Sequence, residues 1–188
     1  MQVFLIRHAR PLLEAGLCYG QLDVDSEDPL PVAARLRPLL PNDTRIIASP
    51  LRRTRRLAEA LHAQPSLDAR LMEINFGDWE GKAWADIDRE LIDAWAADVL
   101  HFVPPGGESV AMLQARAIEC VKGIDGQRVA LVTHGGIIRA LLGYWAQLPV
   151  EEWSKLRLAF GGVTVVEIDT ANRGGKAEFQ ILEVPGTA

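Results

Sequence analysis

Cysteine, tyrosine and methionine are all rare in this chain of 188 residues, which contains two, two and three of them. The two cysteines, Cys18 and Cys120, are far apart in the sequence and form no CxxC pair. This pattern indicates neither a disulfide framework nor a cysteine-based metal site. Low cysteine content is typical of a reducing compartment, and we therefore expect a cytoplasmic protein.

Long apolar runs are also missing. The first residues, 1–7, carry no basic segment, and their apolar run is too short for a signal peptide. No stretch of the sequence approaches the length that a membrane span requires. We expect no association with a membrane.

Positive charge is in the minority, with 20 Lys and Arg against 25 Asp and Glu and a net charge of −5. A protein that binds nucleic acid usually needs a basic face, so this class is not expected. However, 16 of the 20 basic residues are arginine, and several fall in the two short segments 7–10 and 52–56. The arginine fork matches the oxygens of phosphate and carboxylate groups, so the clusters predict a small anionic ligand.

Several catalytic signatures are absent as well. The chain has no GxxxxGK, GxGxxG or HExxH motif, and neither cysteine is followed by arginine six positions later, as a thiol phosphatase requires. The pair Asp23 and Asp25 lacks the preceding strand of an aspartyl phosphatase. No His, Cys and carboxylate cluster has metal-ligand spacing. We therefore predict no metal and no cofactor.

Three short apolar runs predict buried strands at Val3–Ile6, Arg45–Ala48 and Val129–Thr133. Two further strands are predicted in the tail. The predicted helices are Val32–Leu40, a helix capped by Ser49 that runs to about His62, one carrying Trp84 to Trp95, Ser109–Val121 and Gly135–Leu142. The tail strands are Thr164–Ile168 and Ala177–Val184, joined by a turn at 172–175.

Strands that alternate with helices predict an α/β fold, a three-layer α/β/α sandwich around a mainly parallel sheet. The length suits one domain, and no linker or repeat divides the chain, so we expect a single domain over residues 1–188. The segment 81–107 follows a glycine-rich loop and ends at Pro104-Pro105-Gly106-Gly107. This segment is predicted to form a small helical cap.

Three predicted strands end in polar residues: Arg7-His8, Ser49-Pro50-Leu51-Arg52-Arg53 and His134-Gly135. Ligands of α/β sheets bind beyond the carboxyl ends of the strands, so these side chains should meet there. A phosphoryl-transfer site needs such groups: arginines bind the phosphate oxygens, one imidazole attacks phosphorus, and a second imidazole donates a hydrogen bond. The helix that begins at Gly135 adds backbone N–H groups. The spacing leaves the choice between Arg52 and Arg53 open.

The leaving oxygen needs a proton donor, and Glu73 is the first candidate because it enters a loop beside Phe76 and Trp79. Glu80 and Glu108 are weaker candidates, and a purely structural loop carboxylate is the competing interpretation. The remaining histidines, His62 and His101, follow no strand and are expected to be structural. The same holds for four tryptophans, which are expected to pack in the core or the cap: Trp84, Trp95, Trp145 and Trp153.

Four motifs together resemble the histidine phosphatase, or phosphoglycerate-mutase-like, superfamily and span most of the chain. They are Leu5–His8, Ser49–Arg53, Leu71–Gly81 and Val132–Gly136. The resemblance implies that His8 is the phosphorylated nucleophile and that Glu73 is the general acid and base. It also implies a phosphate pocket of Arg7, Arg53 and His134, and so selects Arg53 over Arg52.

Within this superfamily the chain is most similar to the α-ribazole phosphatases of the late cobalamin pathway. The similarity lies in Arg7–Pro11, Gly16–Asp23, Phe76–Gly81 and Pro105–Ser109. It makes Tyr19, Gly20 and Gln21 candidates for substrate contacts, and Gly135, at the start of a predicted helix, is a further candidate. Four positions depart from the pattern common in the superfamily, so that the outer ligand contacts differ from those of the mutases: Ala9, Pro11, Glu14 and Leu57. These departures favour a phosphatase over a mutase.

The leading hypothesis is therefore a metal-independent phosphomonoesterase that acts on α-ribazole 5′-phosphate. Two enzymatic alternatives are a phosphoglycerate-mutase-like enzyme and a phosphatase of sugar phosphates or phosphoproteins. A phosphate-binding scaffold without activity is the alternative of a different class. The expected partner is a small phosphorylated substrate, and the expected state is a monomer or a homodimer.

Overall fold

The computed structural model describes residues 1–168 and the backbone of 178–182. The turn predicted at 172–175, and both ends of the last predicted strand, Ala177–Val184, lie outside this described part. Six strands form one sheet in the spatial order β3-β2-β4-β1-β5-β6. They are β1 (Gln2–Arg7), β2 (Arg45–Ala48), β3 (Ser66–Leu67), β4 (Arg128–Thr133), β5 (Val163–Glu167) and β6 (Glu178–Leu182).

The first four strands in chain order are parallel, and β5 and β6 pair antiparallel at one edge. The described helices are α1 (Leu30–Leu36), α2 (Arg52–Leu61), α3 (Arg89–Ala97), α4 (Val110–Lys122), α5 (Gly135–Ala146) and α6 (Val150–Trp153). Short 3-10 turns lie at Arg37–Leu39, Ala69–Leu71, Gly77–Trp79 and Trp84–Asp86.

Alternation along the strands divides the core into two layers. In β1, Val3 and Leu5 belong to a core cluster with α4 and α5, whereas Phe4 and Ile6 belong to a second cluster with α1 and α2. A strand presents successive side chains to opposite faces of its sheet, so an apolar strand with helices on both faces is buried on both. The predicted α/β/α sandwich with a mainly parallel sheet is confirmed.

The start of α2 differs from the prediction. Ser49 was expected to cap the helix, but α2 begins at Arg52, with Leu51 at the cap position and no side-chain cap bond from it. The Ser49 hydroxyl instead lies 2.9 Å from His134 Nε2. The Arg52 N–H, exposed at the helix start, donates to Asp23 Oδ1 at 2.6 Å. The Ser49 hydroxyl thus combines its tertiary contact with a local bond, in which it accepts the Leu51 N–H at 3.3 Å.

Other element bounds also differ. The predicted helix Val32–Leu40 is split into α1 and a 3-10 turn, because Pro38 cannot continue the α-helical hydrogen bonding. The predicted helix through Trp84 and Trp95 is likewise divided, since Asp88 caps a new start by accepting the Glu90 N–H at 2.8 Å. The sequence does not predict β3 and α6, because they are only 2 and 4 residues long.

The segment 81–107 contains α3 and forms the cap as predicted. The ring centroids of Trp84 and Trp95, both in this segment, are 5.7 Å apart and the rings are stacked. Phe76, from the preceding loop, contacts both rings edge-on. Trp145 and Trp153 are buried in the main core. The tryptophans are therefore packing residues, as expected. Within the described ranges, no helix has the length and apolar character needed to span a membrane.

Candidate active site

The carboxyl ends of three neighbouring strands bring the predicted residues together. His8 follows β1, His134 follows β4 and Ser49 follows β2, and these strands are adjacent in the sheet. The His8 N–H donates to the Thr133 carbonyl oxygen at 3.1 Å. The two imidazole ring centroids are 5.1 Å apart. Parallel pairing thus places two histidines, 126 positions apart in the chain, in one pocket.

His8 is 1% exposed, and its orientation is set by its own backbone neighbour. The ring nitrogen Nδ1 donates to the Ala9 carbonyl oxygen at 2.7 Å. Because a carbonyl can only accept, the proton is on Nδ1 and the lone pair is on Nε2. Burial, together with the positive charges of Arg53 and Arg7, lowers the pKa of His8 to about 3. His8 is therefore a neutral imidazole whose Nε2 carries the lone pair.

His134 is fully buried and stands at the cap position of α5. Its Nε2 lies 2.9 Å from the Ser49 hydroxyl. Because the Ser49 oxygen already accepts the Leu51 N–H at 3.3 Å, we assign the hydroxyl proton to the bond with Nε2 and the ring proton to Nδ1. Burial, followed by the charge of Arg53, lowers the pKa of His134 well below its ordinary value. The second histidine is thus also neutral, with a donor group on the other side of the ring from Ser49.

Arg7 is held at the pocket wall by a carbonyl and an aromatic ring. Its Nη1 donates to the Leu158 carbonyl oxygen at 2.6 Å, and its guanidinium carbon lies 3.7 Å from the centroid of the Phe160 ring. The Phe160 ring also lies 5.5 Å from that of His8. Burial is the largest influence on the Arg7 pKa and lowers it, while Tyr19 acts in the opposite direction.

Arg53 and Arg52, adjacent in the sequence, have different environments. Arg53 is fully buried, and its Nη groups donate to the carbonyl oxygens of Leu22 at 2.9 Å and Gly20 at 2.6 Å. Arg52 has about half of its side chain exposed and pairs with Asp25 at 4.0 Å. Burial lowers the pKa of Arg53, and the carboxylate of Glu73 raises it. The structure therefore brings Arg53, and not Arg52, into the pocket.

Glu73 lies in irregular chain between two 3-10 turns, and its carboxylate is fixed by backbone donors. Oε1 accepts the N–H of Ile74 at 3.0 Å, and Oε2 accepts the N–H of Gly136 at 3.1 Å. A Cβ at Gly136 would collide with Oε1, so only glycine leaves room for the carboxylate here. The N–H of Gly136, at the start of α5, thus helps to hold the Glu73 carboxylate near Arg7 and Arg53, and the charge of this carboxylate acts to raise the pKa of both arginines.

The other two candidate acids have structural partners. Glu80 Oε1 accepts the backbone N–H groups of Gln21 at 2.8 Å and Phe76 at 3.0 Å. Glu108 forms an ion pair with Arg116 at 2.7 Å and accepts the Asn75 N–H at 2.9 Å. Both carboxylates stabilise the loop that carries Glu73, and the charge contacts favour Glu73 as the acid.

The predicted substrate-contact residues surround this pocket. The Tyr19 ring lies 5.2 Å from the guanidinium carbon of Arg53, and Tyr19 acts to raise the pKa of Arg7. A Cβ on Gly135 would lie 3.4 Å from Arg7 Nε. A Cβ on Gly20 would collide with the Ile74 carbonyl. Their contacts with a substrate stay predictions.

The structure gives Gln21 a supporting contact. Its Nε2 donates to the Glu73 carbonyl oxygen at 3.0 Å, so its amide touches the backbone of the candidate acid. Outside the pocket, His62 is exposed and accepts the Gln64 N–H at 3.1 Å. His101 is exposed and lies 3.1 Å from Asp98 Oδ1. The last two histidines are structural surface residues, as expected.

The sequence does not predict three contacts of the pocket. Ser49 bonds to His134, the Phe160 ring lies against the Arg7 guanidinium, and Arg116 donates to the Glu73 carbonyl oxygen. Ser49 belongs to one of the four motifs, but its place in the sequence indicates only a helix cap. No local pattern distinguishes Phe160 or Arg116, because each acts through contacts with residues distant in the sequence.

Three buried donor positions in the pocket have no hydrogen-bond partner among the described residues. They are Arg7 Nε, Arg53 Nε and His134 Nδ1. Buried polar groups are nearly always satisfied, so an unpaired set of this kind calls for a polar ligand. Two guanidinium groups and one ring N–H match the oxygens of a bound phosphoryl group. In the part of the chain that the structure describes, no group of three or more His, Cys, Asp or Glu residues could hold a metal ion.

Comparison with known proteins agrees with this arrangement. A family model described as the histidine phosphatase superfamily (branch 1) matches residues 3–177. The chain belongs to the histidine phosphatase superfamily. This membership confirms the resemblance found in the sequence and the prediction of a phosphoric monoester hydrolase.

Similar proteins include both phosphatases and a mutase. Glucosyl-3-phosphoglycerate phosphatase of Mycolicibacterium vanbaalenii is 33% identical over 82% of this chain and 78% of its own length. The structure of a mycobacterial glucosyl-3-phosphoglycerate phosphatase with VO3 is 26% identical, has a TM-score of 0.80, and matches 97% of this chain and 99% of its own. A phosphoglycerate mutase from Thermus thermophilus has a TM-score of 0.77 at 29% identity, with 97% and 99% covered.

Proposed function

We propose that this chain hydrolyses a small phosphate monoester through a phosphohistidine formed on His8 Nε2. The observation that carries the proposal is the set of unpaired buried donors at Arg7, Arg53 and His134 beside a neutral His8. Such donors are in place before the substrate arrives, and fixed dipoles of this kind stabilise charge that develops in a transition state. The proposed reaction needs no metal.

In the first step, the lone pair of His8 Nε2 attacks phosphorus and the bond between phosphorus and the ester oxygen breaks. The Nδ1–H bond to the Ala9 carbonyl stabilises the positive charge that the imidazole gains. The protonated carboxyl of Glu73 gives its proton to the leaving oxygen, so an alcohol departs. Arg7, Arg53 and His134 hold the three non-bridging oxygens throughout.

In the second step, the Glu73 carboxylate takes a proton from a water molecule as the water oxygen attacks phosphorus. The bond from phosphorus to Nε2 breaks, the electron pair returns to the imidazole, and inorganic phosphate forms. The protonated Glu73 and the neutral His8 are then restored. The two backbone N–H donors on Glu73 keep its oxygens at the pocket in both steps.

For the substrate we propose α-ribazole 5′-phosphate, on the sequence similarity at 16–23 and 105–109. The name of the relative from Mycolicibacterium vanbaalenii supports glucosyl-3-phosphoglycerate as the main competitor. A mutase acting on phosphoglycerate is the second alternative, on the mutase structure among the similar proteins. We also propose a cytoplasmic location and a monomer or homodimer.

The test is phosphate release by wild-type and His8→Ala protein, in the presence of EDTA. The compounds are α-ribazole 5′-phosphate, glucosyl-3-phosphoglycerate, 3-phosphoglycerate and p-nitrophenyl phosphate. We expect release by the wild type that EDTA does not reduce, and loss of activity in the variant. A preference of about a hundredfold in kcat/KM, equal to about 2.7 kcal/mol, would identify the substrate.

Unchanged activity of His8→Ala would exclude His8 as the nucleophile. Exchange of phosphate between 2- and 3-phosphoglycerate, without release, would identify a mutase. A protein that binds inorganic phosphate but turns over none of the four compounds would favour the scaffold. Acid-labile, base-stable radiolabel on the wild type, absent from His8→Ala, would identify the phosphohistidine directly.

A further inference from the structure

Glu73 lies in a segment that has no regular secondary structure of its own. The residues from Met72 to Phe76 follow the 3-10 turn Ala69–Leu71 and belong to no helix or strand. Backbone carbonyls in such a segment have no ladder partners and must be satisfied by other groups. A catalytic carboxyl also has to be held within a fraction of an ångström, which requires support from a second layer of residues.

Arg116, from the middle of α4, supplies this support. Its Nη1 donates to the carbonyl oxygens of Arg70 and Met72, both at 2.7 Å, and its Nη2 donates to the Glu73 carbonyl oxygen at 3.0 Å. One guanidinium thus contacts three carbonyls along the four residues that end at Glu73. Only the planar arginine fork can reach all of them at once, since lysine has a single nitrogen.

Glu108 completes the arrangement from the other side. It receives Arg116 Nε at 3.0 Å and Nη2 at 2.7 Å, and it accepts the Asn75 N–H at 2.9 Å. The Glu108 N–H in turn donates to the Asn75 carbonyl oxygen at 2.9 Å. Ser109, buried directly after Glu108, caps α4 through a 3.2 Å bond from the Met112 N–H. The pair therefore connects α4 and its cap to the backbone on both sides of Glu73, at Met72 and at Asn75.

This ion pair is largely removed from solvent, with 19% of the Arg116 side chain and 13% of the Glu108 side chain exposed. Buried pairs seldom stabilise a fold more than apolar residues of similar size would, because both charges must be desolvated. The bonds from this pair to backbone groups fall on residues 70–75, which are the segment that carries the candidate acid and the turn before it. Its geometry is thus better explained by the placement of Glu73 than by stability.

We propose that Arg116 and Glu108 are positioning residues that hold the Glu73 carboxyl for proton transfer. The proposal rests on the function proposed above, in which Glu73 protonates the leaving oxygen. Disturbing the pair leaves Arg7, Arg53 and His134 in place. It should therefore impair proton donation selectively, while phosphate binding persists.

The test uses leaving groups that differ in their need for a proton. The p-nitrophenolate ion is stable enough to leave without a proton, whereas an alkoxide has to be protonated as it leaves. We therefore compare p-nitrophenyl phosphate with an alkyl phosphate. Rapid quench under single turnover measures phosphohistidine formation in wild type, Arg116→Gln, Glu108→Gln and Glu73→Gln. General acid catalysis is worth about 10²–10⁴-fold. We expect Arg116→Gln to lose about tenfold or more on the alkyl ester and less than about threefold on the aryl ester.

A double variant separates positioning from general damage. If Arg116 acts through Glu73, then Glu73→Gln combined with Arg116→Gln loses no more on the alkyl ester than Glu73→Gln alone. Arg128→Gln, which removes only an exposed pair with Asp43, serves as the arginine control and should match the wild type. Glu108→Gln keeps an oxygen for the Asn75 N–H and provides a milder variant should Arg116→Gln fold poorly.

Equal losses on both esters, or losses that multiply in the double variant, would overturn the positioning role. That outcome is distinct from failure of the proposed function, which would appear as normal phosphohistidine formation in His8→Ala or an unchanged rate in Glu73→Gln. The inhibition constant for inorganic phosphate is measured alongside, and should stay within about twofold of wild type in both positioning variants.

Discussion

The hydroxyl of Ser49 lies 2.9 Å from Nε2 of His134, and both side chains are fully buried. Replacing Ser49 by alanine leaves this nitrogen without its partner, a loss that costs about 1–3 kcal/mol of stability for a buried polar group. We also expect kcat/KM to fall about tenfold or more, since the ring is no longer held for phosphate. Steady-state kinetics and urea unfolding measure the two effects.

Ser26→Ala is the matched control for this variant. Ser26 is also buried, but its hydroxyl donates to the Glu27 carbonyl oxygen, outside the pocket. It should lose stability without a comparable loss of kcat/KM. Equal kinetic losses in the two variants would show that Ser49 has no special role in orienting His134.

Gly136→Ala should separate activity from stability. Gly136 is the second residue of α5 and is not among the glycines with positive φ, so its backbone accepts alanine and the fold should tolerate the change. The new methyl group collides with Oε1 of Glu73, the flexible end of that side chain, and pushes the carboxyl aside. We expect kcat on an alkyl phosphate to fall about tenfold or more while the melting temperature stays level or rises. Thermal unfolding and kcat are measured together.

Gly123→Ala provides the comparison, because its added Cβ would meet only ordinary contacts at 3.5 Å or more. It should keep wild-type kcat. If Gly136→Ala retains full activity, the Glu73 carboxyl is not needed where the structure places it.

Arg53→Lys should be far more harmful than the same change at its neighbour Arg52. Lysine removes the unpaired Nε and cannot satisfy the carbonyls of Gly20 and Leu22 together. Loss of one preorganised donor costs about 10²–10³-fold in kcat. Arg52→Lys should change kcat/KM by less than about twofold, because the side chain is half exposed. Comparable losses in both variants would contradict the assignment of the pocket.

Acid should destabilise the protein through its buried histidines. In the folded state the pKa of His8 lies at about 3, against 6.5 for an ordinary histidine, and that of His134 also lies well below 6.5. Between these values the unfolded chain binds a proton that the folded chain does not. The free energy of unfolding therefore falls as pH drops below about 6.5, by up to about 1.4 kcal/mol per pH unit for each histidine.

Urea unfolding at several pH values from 7 to 4 measures this dependence. In His8→Asn the free energy of unfolding should depend less steeply on pH, because one buried histidine is removed. His62→Asn, at an exposed position, should leave this dependence unchanged. Parallel curves for wild type and His8→Asn would mean that folding does not lower the pKa of His8.

The strand ends were the part of this molecule that local sequence could predict. Val3–Ile6 and Val129–Thr133 are short apolar runs with β-branched residues, so the places where Arg7-His8 and His134 follow were clear. Parallel pairing then dictated their meeting at one edge of the sheet. What the residues alone left open, the choice of Arg53 over Arg52, depends on which side of α2 faces the sheet.

The supporting contacts could not be predicted in this way. Ser49 reads as a helix cap, but a histidine from another strand engages its hydroxyl. Glu73, Glu80 and Glu108 are all carboxylates in or beside loops, and only their three-dimensional partners distinguish them. Arg116 is one of 16 arginines, and its partners lie 8 to 46 positions away along the chain.

The central position of β1 has a consequence for how the protein acquires activity. Residues 2–7 are synthesised before both strands that they pair with, since β1 pairs with β4 at 128–133 on one side and with β5 at 163–167 on the other. Closing loops of this length precedes the gain from the contacts, and such non-local pairing is slow. The pocket around His8 therefore cannot form until β4 and β5 have been synthesised, and a nascent fragment that ends before β4 lacks His134.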